Sequence, residues 1–348
     1  MRSLALSGRN DGMSVVSERA KLSDVARLAG VSPATVSRVL NSNTRVAQDL
    51  VERVLKAKAE LNYRHNSLAR GLRTKENNMV GVVIPDITNP FFTDLVRGIE
   101  DVMQEASYLL VLCNTDETHT KEMDYLNMLV DQNVAGVLIA PSQSGSSSAG
   151  EVLQGVPTVL VDRLMLGLDV DSVTLDNLSG ARELTADLIS RAKRVATITG
   201  PLVTTTANER LTGYRRALDA AGRPFEPDYF IESDYSEQGG YQAALRLLAL
   251  PYPPDGILAG NNAMARGMMR ALREREVDVN QMALASFGTL DWFADPGRHV
   301  AVLNIPSYEM GRSAAAMLLE RIDGLESAQR HVRVNPGAIV NSGEAPTI

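Results

Sequence analysis

Residues 23–41 read SDVARLAGVSPATVSRVLN, and this stretch decides the architecture of everything around it. Ser23 is a good helix N-cap, and Asp24 follows in the first turn, where the helix dipole favours negative charge. Val25, Leu28 and Ala29 fall at i, i+3 and i+4, which predicts one apolar face. Gly30 ends this helix. Ser32 offers a second N-cap with Pro33 at the first helical position, where its missing N–H costs nothing. A helix over 33–40 follows, with Val36, Val39 and Leu40 inward. Two short helices joined by a glycine turn predict a helix-turn-helix, with Pro33, Ala34, Thr35, Ser37 and Arg38 outward. Hydroxyls there can bond phosphate oxygens, and Arg38 can reach a guanine edge bidentately. A third helix over 47–61 would set Val51, Val54 and Leu55 against the pair. The same periodicity also fits an ordinary helical pair inside a bundle.

Charge divides the chain at the same place. Residues 1–75 hold 14 Lys and Arg against 6 Asp and Glu, a net of +8, whereas the remainder carries 21 against 36, a net of -15. A basic head on an acidic body fits a head that touches a polyanion, and it equally fits a solvated basic surface. The single cysteine, Cys113 in YLLVLC, excludes an intrachain disulfide framework and reads as a core residue. No run approaches the roughly 20 apolar residues of a membrane span. The start, MRSLALSGRNDG, lacks the apolar block of a secretory signal, so the expected location is the cytoplasm and residues 1–20 read as an unstructured tail.

LSDVARLAGVSPATVSRVLN, together with LNYRHNSLARGL further on, resembles the DNA-binding headpiece and hinge of the lactose-repressor (LacI/GalR) family of bacterial regulators. The match is dense over 21–73 and continues weakly to the C-terminus. The resemblance implies a headpiece over 21–64, a hinge helix and linker over 65–77, and an effector-binding domain over 78–348. Pro33, Ala34 and Arg38 would hold base-reading positions, and Ser32, Thr35, Ser37 and Asn41 positions that contact backbone or cap helices. In the hinge, Asn66 would open a short helix, Ala69 would face its partner across a dimer axis, and Leu72 would wedge between base pairs in the minor groove. His65 and Gly71 depart from the family pattern. So short a helix, interrupted by glycine, is expected to form only on DNA.

From Met79 onward short β runs alternate with helical periods: MVGVVIPD, YLLVLCNT, VAGVLIAP and PTVLVD, then SVTLD, RVATITGP, YFIESD, GILAGNN, ALASFG and HVAVLNIP. Continuous apolar strands separated by helices predict parallel sheets covered on both faces, here in two doubly wound α/β lobes. The expected lobes are residues 78–175 with 304–330, and 176–303 with 331–348. The segment SQSGSSSAG reads as a flexible loop. Ligands of such sheets bind beyond the carboxyl ends of the strands, where polar tips such as Asp176-Asn177 and Asn261-Asn262 gather.

This half resembles the family's effector domain, itself similar to periplasmic sugar-binding proteins. The resemblance places Asp86, Asn89, Phe91 and Phe92 in the cleft through DITNPFF, and Asp162 and Arg163 through VDR. Arg210 comes through NER, Asn261 through GNNAM and Asn304 through LNIP. One departure is informative. The family usually ends a late strand GFD or GYD, and that Asp grips sugar hydroxyls; here the stretch is SFGTLDW and Gly288 replaces it. Losing a carboxylate beside two arginines favours an anionic effector, a sugar acid or sugar phosphate, a pattern akin to gluconate-responsive members. The competing expectation is a neutral sugar or nucleoside-type effector, with Asp291 or Trp292 supplying the lost contact.

The whole reads as a homodimeric repressor of double-stranded operator DNA, with no membrane partner and no need of a cofactor or metal. The chain contains no G-x-S-x-G, no G-x-x-x-x-G-K-[ST] and no G-x-G-x-x-G after a strand, and its four histidines have no metal spacing, which argues against an enzyme. A transport component would carry a signal peptide and no basic head.

Overall fold

The computed structural model describes residues 21–40, 46–61, 63, 78–142, 147–288 and 300–341. The expected tail, the positions Asn41, Asn66, Ala69 and Leu72, and Asp291 and Trp292 lie outside the described residues. The chain divides into two compact units, 1–76 and 77–348.

The first unit packs α1 (Leu22–Ala29), α2 (Pro33–Leu40) and α3 (Gln48–Glu60) around Val25, Ala26, Ala29, Val36, Val54 and Ala57. Helix α1 starts two residues earlier than Ser23 suggested, because the Asp24 carboxylate accepts the Lys21 backbone N–H at 2.9 Å. Its buried face runs through Val25, Ala26 and Ala29, while Leu28 is exposed. On α3, Val54 and Ala57 point inward and Leu55 is exposed, correcting the expected face by one residue. Consecutive helical residues stand about 100° apart, so a one-residue misreading turns the stripe outward. Gly30 adopts φ 64° between α1 and α2, and Arg53 of α3 donates to the carbonyls of Ala29 (2.6 Å) and Gly30 (3.2 Å), pinning the turn.

The second unit contains two six-stranded sheets. The first has the order β11-β5-β4-β3-β1-β2, from β1 (Met79–Ile84), β2 (Leu109–Asn114), β3 (Gly136–Ile139), β4 (Thr158–Val161), β5 (Asp171–Leu175) and β11 (His331–Val334), all parallel. The second has the order β12-β10-β9-β8-β6-β7, from β6 (Val195–Thr199), β7 (Phe230–Glu232), β8 (Gly256–Ala259), β9 (Ala283–Phe287), β10 (Val300–Leu303) and β12 (Ile339–Asn341). Only β12 runs antiparallel to its neighbour there. The central strands are buried on both faces, as their unbroken apolar runs require.

Helices α4 (Pro90–Glu105), α5 (His119–Asp131), α6 (Ser147–Val152) and α11 (Ser307–Ile322) belong with the first sheet. Helices α7 (Asn177–Arg191), α8 (Thr205–Ala220), α9 (Glu237–Leu248) and α10 (Asn262–Glu274) belong with the second. Two expectations are corrected. Part of the segment read as a flexible loop is the helix α6. Residues 331–334, assigned by sequence to the second lobe, form β11 on the edge of the first sheet, so the final strand pair is split between the sheets. The reason is Asp171, which collects Arg321 and Arg330 and draws the returning chain beside β5. Among the described residues no helix is long and apolar enough to cross a membrane.

Candidate functional site

Both sheets present their carboxyl ends to one cavity of about 400 Å³, a volume that includes its open mouth. From the first lobe come Asn89, Phe91, Phe92, Asp162 and Arg163; from the second come Arg210, Asn261 and Gly288. Asn89 sits just after β1, where its side chain accepts the Phe91 N–H at 3.0 Å and starts α4. That cap turns the two phenylalanines, edge to face with centroids 4.9 Å apart, toward the cleft. Two of the expected residues are not among those lining it. Asp86 is occupied locally, accepting the Thr88 N–H (2.8 Å) and hydroxyl (2.7 Å). Asn304 is exposed, and its carbonyl accepts the Gly337 N–H at the last crossover; the neighbouring Ile305 lines the cavity instead.

Asp162 follows β4 with φ 63° and is 7% exposed, and burial pushes its carboxyl up against the opposing pull of Arg163 and Arg210. Arg163 donates two bonds to Glu117, each 2.7 Å, and one to the Pro141 carbonyl at 3.2 Å. Burial alone would lower this guanidinium; the Glu117 charge outweighs it and holds it up. The Arg163 head also lies 4.9 Å from the Tyr235 ring centroid, across from the second lobe. Arg210, on α8, donates to Asn177 Oδ1 at 2.9 Å and to the Gly260 carbonyl, with its head 4.1 Å from the Phe287 ring centroid. Burial lowers it.

Asn261 caps α10 by accepting the Met264 N–H at 2.7 Å and donates to the Tyr235 carbonyl at 3.0 Å. Gly288 ends β9 at φ 82°, a left-handed conformation that favours glycine. Among the described residues, Thr206, Tyr235, Asn262 and Phe287 also line the cavity, and of these the sequence had marked Asn262 alone. Tyr235 stands at φ 65° with its hydroxyl between those of Thr204 (2.9 Å) and Thr206 (2.8 Å). Neither periodicity nor a motif marks it. Asn262 had a signal, as the second half of the polar tip after β8.

In the first unit, α2 presents Pro33, Ala34 and Arg38 outward, with Thr35 and Ser37 half-buried. Ser32 caps the helix through the Thr35 N–H at 3.1 Å and meets the Thr35 hydroxyl at 2.9 Å. Among the described residues, Arg38 bonds to its own helix, donating its Nε–H to the Ala34 carbonyl at 3.4 Å, and its two outer guanidinium nitrogens carry the donors that suit a forked acceptor.

Residues 77–339 match the family described as periplasmic binding proteins and sugar binding domain of LacI family, and residues 21–66 match the bacterial regulatory proteins, lacI family. The ribose operon repressor of Escherichia coli (strain K12) is 35% identical over 322 residues, covering 91% of this chain and 97% of that protein. A LacI family transcriptional regulator from Enterococcus faecium with bound ribose is 29% identical, covers 78% of this chain and 100% of its own, and superposes with a TM-score of 0.67. The lac repressor dimer bound to operator and the anti-inducer ONPF has the same fold, with a TM-score of 0.80 over 94% of this chain and 99% of its own at 23% identity. With a helix-turn-helix head and a two-lobed cleft that both match, this chain belongs to the LacI family of bacterial transcriptional repressors, regulators controlled by a small-molecule effector rather than enzymes.

Proposed function

We propose that the protein binds pseudo-palindromic operator DNA as a homodimer and that a neutral monosaccharide, of about the size of a pentose, closes its cleft and alters that binding. Helix α2 enters the major groove, with Arg38 on a guanine edge and Pro33 and Ala34 against thymine methyls. The hinge residues keep the roles that the family pattern implies: Asn66 opens the hinge helix, Ala69 faces its partner across the dimer axis, and Leu72 wedges into the minor groove. A coupling of about 1–3 kcal/mol between the two sites changes operator affinity about 5- to 150-fold.

The observation that carries the effector class is the two-point pairing of Arg163 with Glu117. Two arginines beside a missing carboxylate favoured an acidic ligand on sequence grounds. In the folded chain, Arg163 is ion-paired with Glu117 and Asp162, so two carboxylates match the two arginines in formal charge, and Arg210 gives its hydrogen bonds to the Asn177 side chain and the Gly260 carbonyl. An added anion would meet the buried Asp162 carboxylate, where repulsion is weakly screened. The cavity lies toward the small end of ligand pockets, which suits one sugar ring. The ribose relatives point the same way.

Isothermal titration against matched pairs tests this: D-ribose with ribose 5-phosphate, and glucose with gluconate. The neutral member of a pair binds more tightly. Tighter binding of the charged member returns the assignment to a sugar acid or phosphate.

A further inference from the structure

Glu117 is not among the described residues that line the cavity, yet it holds Arg163, which is. It stands in the turn after β2, where Asp116 and Glu117 both adopt left-handed backbone, at φ 52° and 55°. Two bonds tie this turn to the segment after β1 that leads to Asn89. The Glu117 N–H donates to the Pro85 carbonyl at 3.3 Å, and Asn114 Oδ1 accepts the Ile87 N–H at 2.7 Å. Lys121 and the Asn114 amide both donate to the neighbouring Asp116 carboxylate, each at 2.5 Å. The Glu117 carboxylate therefore meets Arg163 from an anchored turn.

A guanidinium grips a carboxylate or phosphate through two parallel N–H donors, and it has two such edges: the pair of outer nitrogens, and Nε with one outer nitrogen. In Arg163 both edges already face a carboxylate. Glu117 takes Nη1 and Nη2 at 2.7 Å each, and the Asp162 carboxylate lies 3.4 Å from Nε. Arg210, by contrast, bonds to the neutral Asn177 side chain and Gly260 carbonyl. Without the Glu117 charge, Arg163 and Arg210 would face Asp162 alone. The excess cation would sit on a side chain 3% exposed, where charge is weakly screened. We infer that Glu117 is a positioning residue that determines the charge selectivity of the effector site: by occupying Arg163 it denies an anionic ligand its two-point partner. The inference rests on the neutral-sugar reading of the cleft and assigns the rejection of anions to a side chain outside the cavity.

The test is calorimetric titration of the full chain with D-ribose against ribose 5-phosphate and with glucose against gluconate. The readout is the ratio of the two dissociation constants within a pair, which a merely structural loss would leave unchanged. Glu117→Gln keeps the shape of the side chain and removes its charge. The preference for the neutral member then falls about 10- to 150-fold, the range of one hydrogen bond to a charged group. Glu117→Asp, which keeps the charge, keeps the wild-type preference. In an Arg163→Met background Glu117→Gln moves the ratio far less, because no guanidinium remains to be freed. If Glu117→Gln melts early, the rise of its melting midpoint with ligand decides instead: ribose 5-phosphate gains on ribose relative to wild type. An unchanged ratio or midpoint order in Glu117→Gln, or an equal shift in the Arg163→Met background, overturns the inference and leaves the neutral-sugar reading standing. A wild type that prefers the charged member of each pair overturns both.

Discussion

Asp171 shows how one side chain sets the path of the chain. It begins β5 and is 1% exposed, and burial alone would raise its carboxyl. Hydrogen bonds from Arg321, from the Arg330 guanidinium and from the Arg330 backbone N–H overcome this and bring it down to about 2 from an ordinary value of 3.8. A carboxyl whose folded value is depressed contributes stability that is fully present above its unfolded value and is lost as pH falls through the folded one. The window here runs from about pH 4 down to about pH 2, and the contribution at neutral pH is on the order of 2 kcal/mol. Asp171→Asn should lower the urea midpoint at pH 7, with a gap from wild type that narrows across that window. A gap of constant size at pH 7, 4 and 2.5 would show that the carboxylate charge is not what holds β11 to the first sheet. Nothing in the local sequence announces this role, because the two arginines arrive from positions 150 and 159 residues away.

At the scale of elements, α2 is a short helix held in place by one fully buried side chain, Val36, and by the Ser32 cap. Its outward face is thereby free of core duties, and Arg38 can be changed without disturbing the fold. Arg38→Ala should weaken binding to the cognate operator by about 1–3 kcal/mol and flatten the preference at one base pair, as read by fluorescence anisotropy on operator variants. An equal loss on every duplex would mean that Arg38 touches phosphate and reads no base. The elements themselves were largely legible. Pro33 after Ser32 marks the start of α2, and the unbroken runs of β1, β3, β6 and β8 mark strands buried on both faces. The errors were of facing and of distant pairing. Leu28 and Leu55 fit an apolar pattern by spacing but stand outside because small alanines, Ala26 and Ala57, take the inward positions. Residues 331–334 read as one half of a strand pair, and sequence holds no signal for which sheet a terminal strand will join.

At the scale of the molecule, the cleft is built where two sheets of the same strand order turn their carboxyl ends together. That is why strand-tip residues such as Asp162, Arg163, Asn261 and Gly288 could be found by position, while Glu117, two-point partner to Arg163, could not: it lies in a turn with φ 55° and belongs to no periodic element. The lobes are also tied outside the cavity. Glu209 of α8, on the second lobe, pairs with Arg333 of β11, on the first. Glu209 also accepts from Asn177 Nδ2 at 3.4 Å, and Asn177 Oδ1 in turn accepts from Arg210 at the cavity. The inter-lobe ion pair and the cavity arginine therefore share one intermediary, so loosening the pair should relax Arg210. Arg333 is about half exposed, which limits such a pair to roughly 1 kcal/mol or less. Arg333→Ala should thus weaken effector binding by about fivefold or less, with operator binding in the absence of effector little altered. Because the pair faces water, the difference between variant and wild type should shrink as salt is raised. Titration at low and high ionic strength checks both parts. A loss that persists unchanged in high salt would locate the role of Arg333 in packing against the β5 edge and sever the proposed link from lobe closure to Arg210.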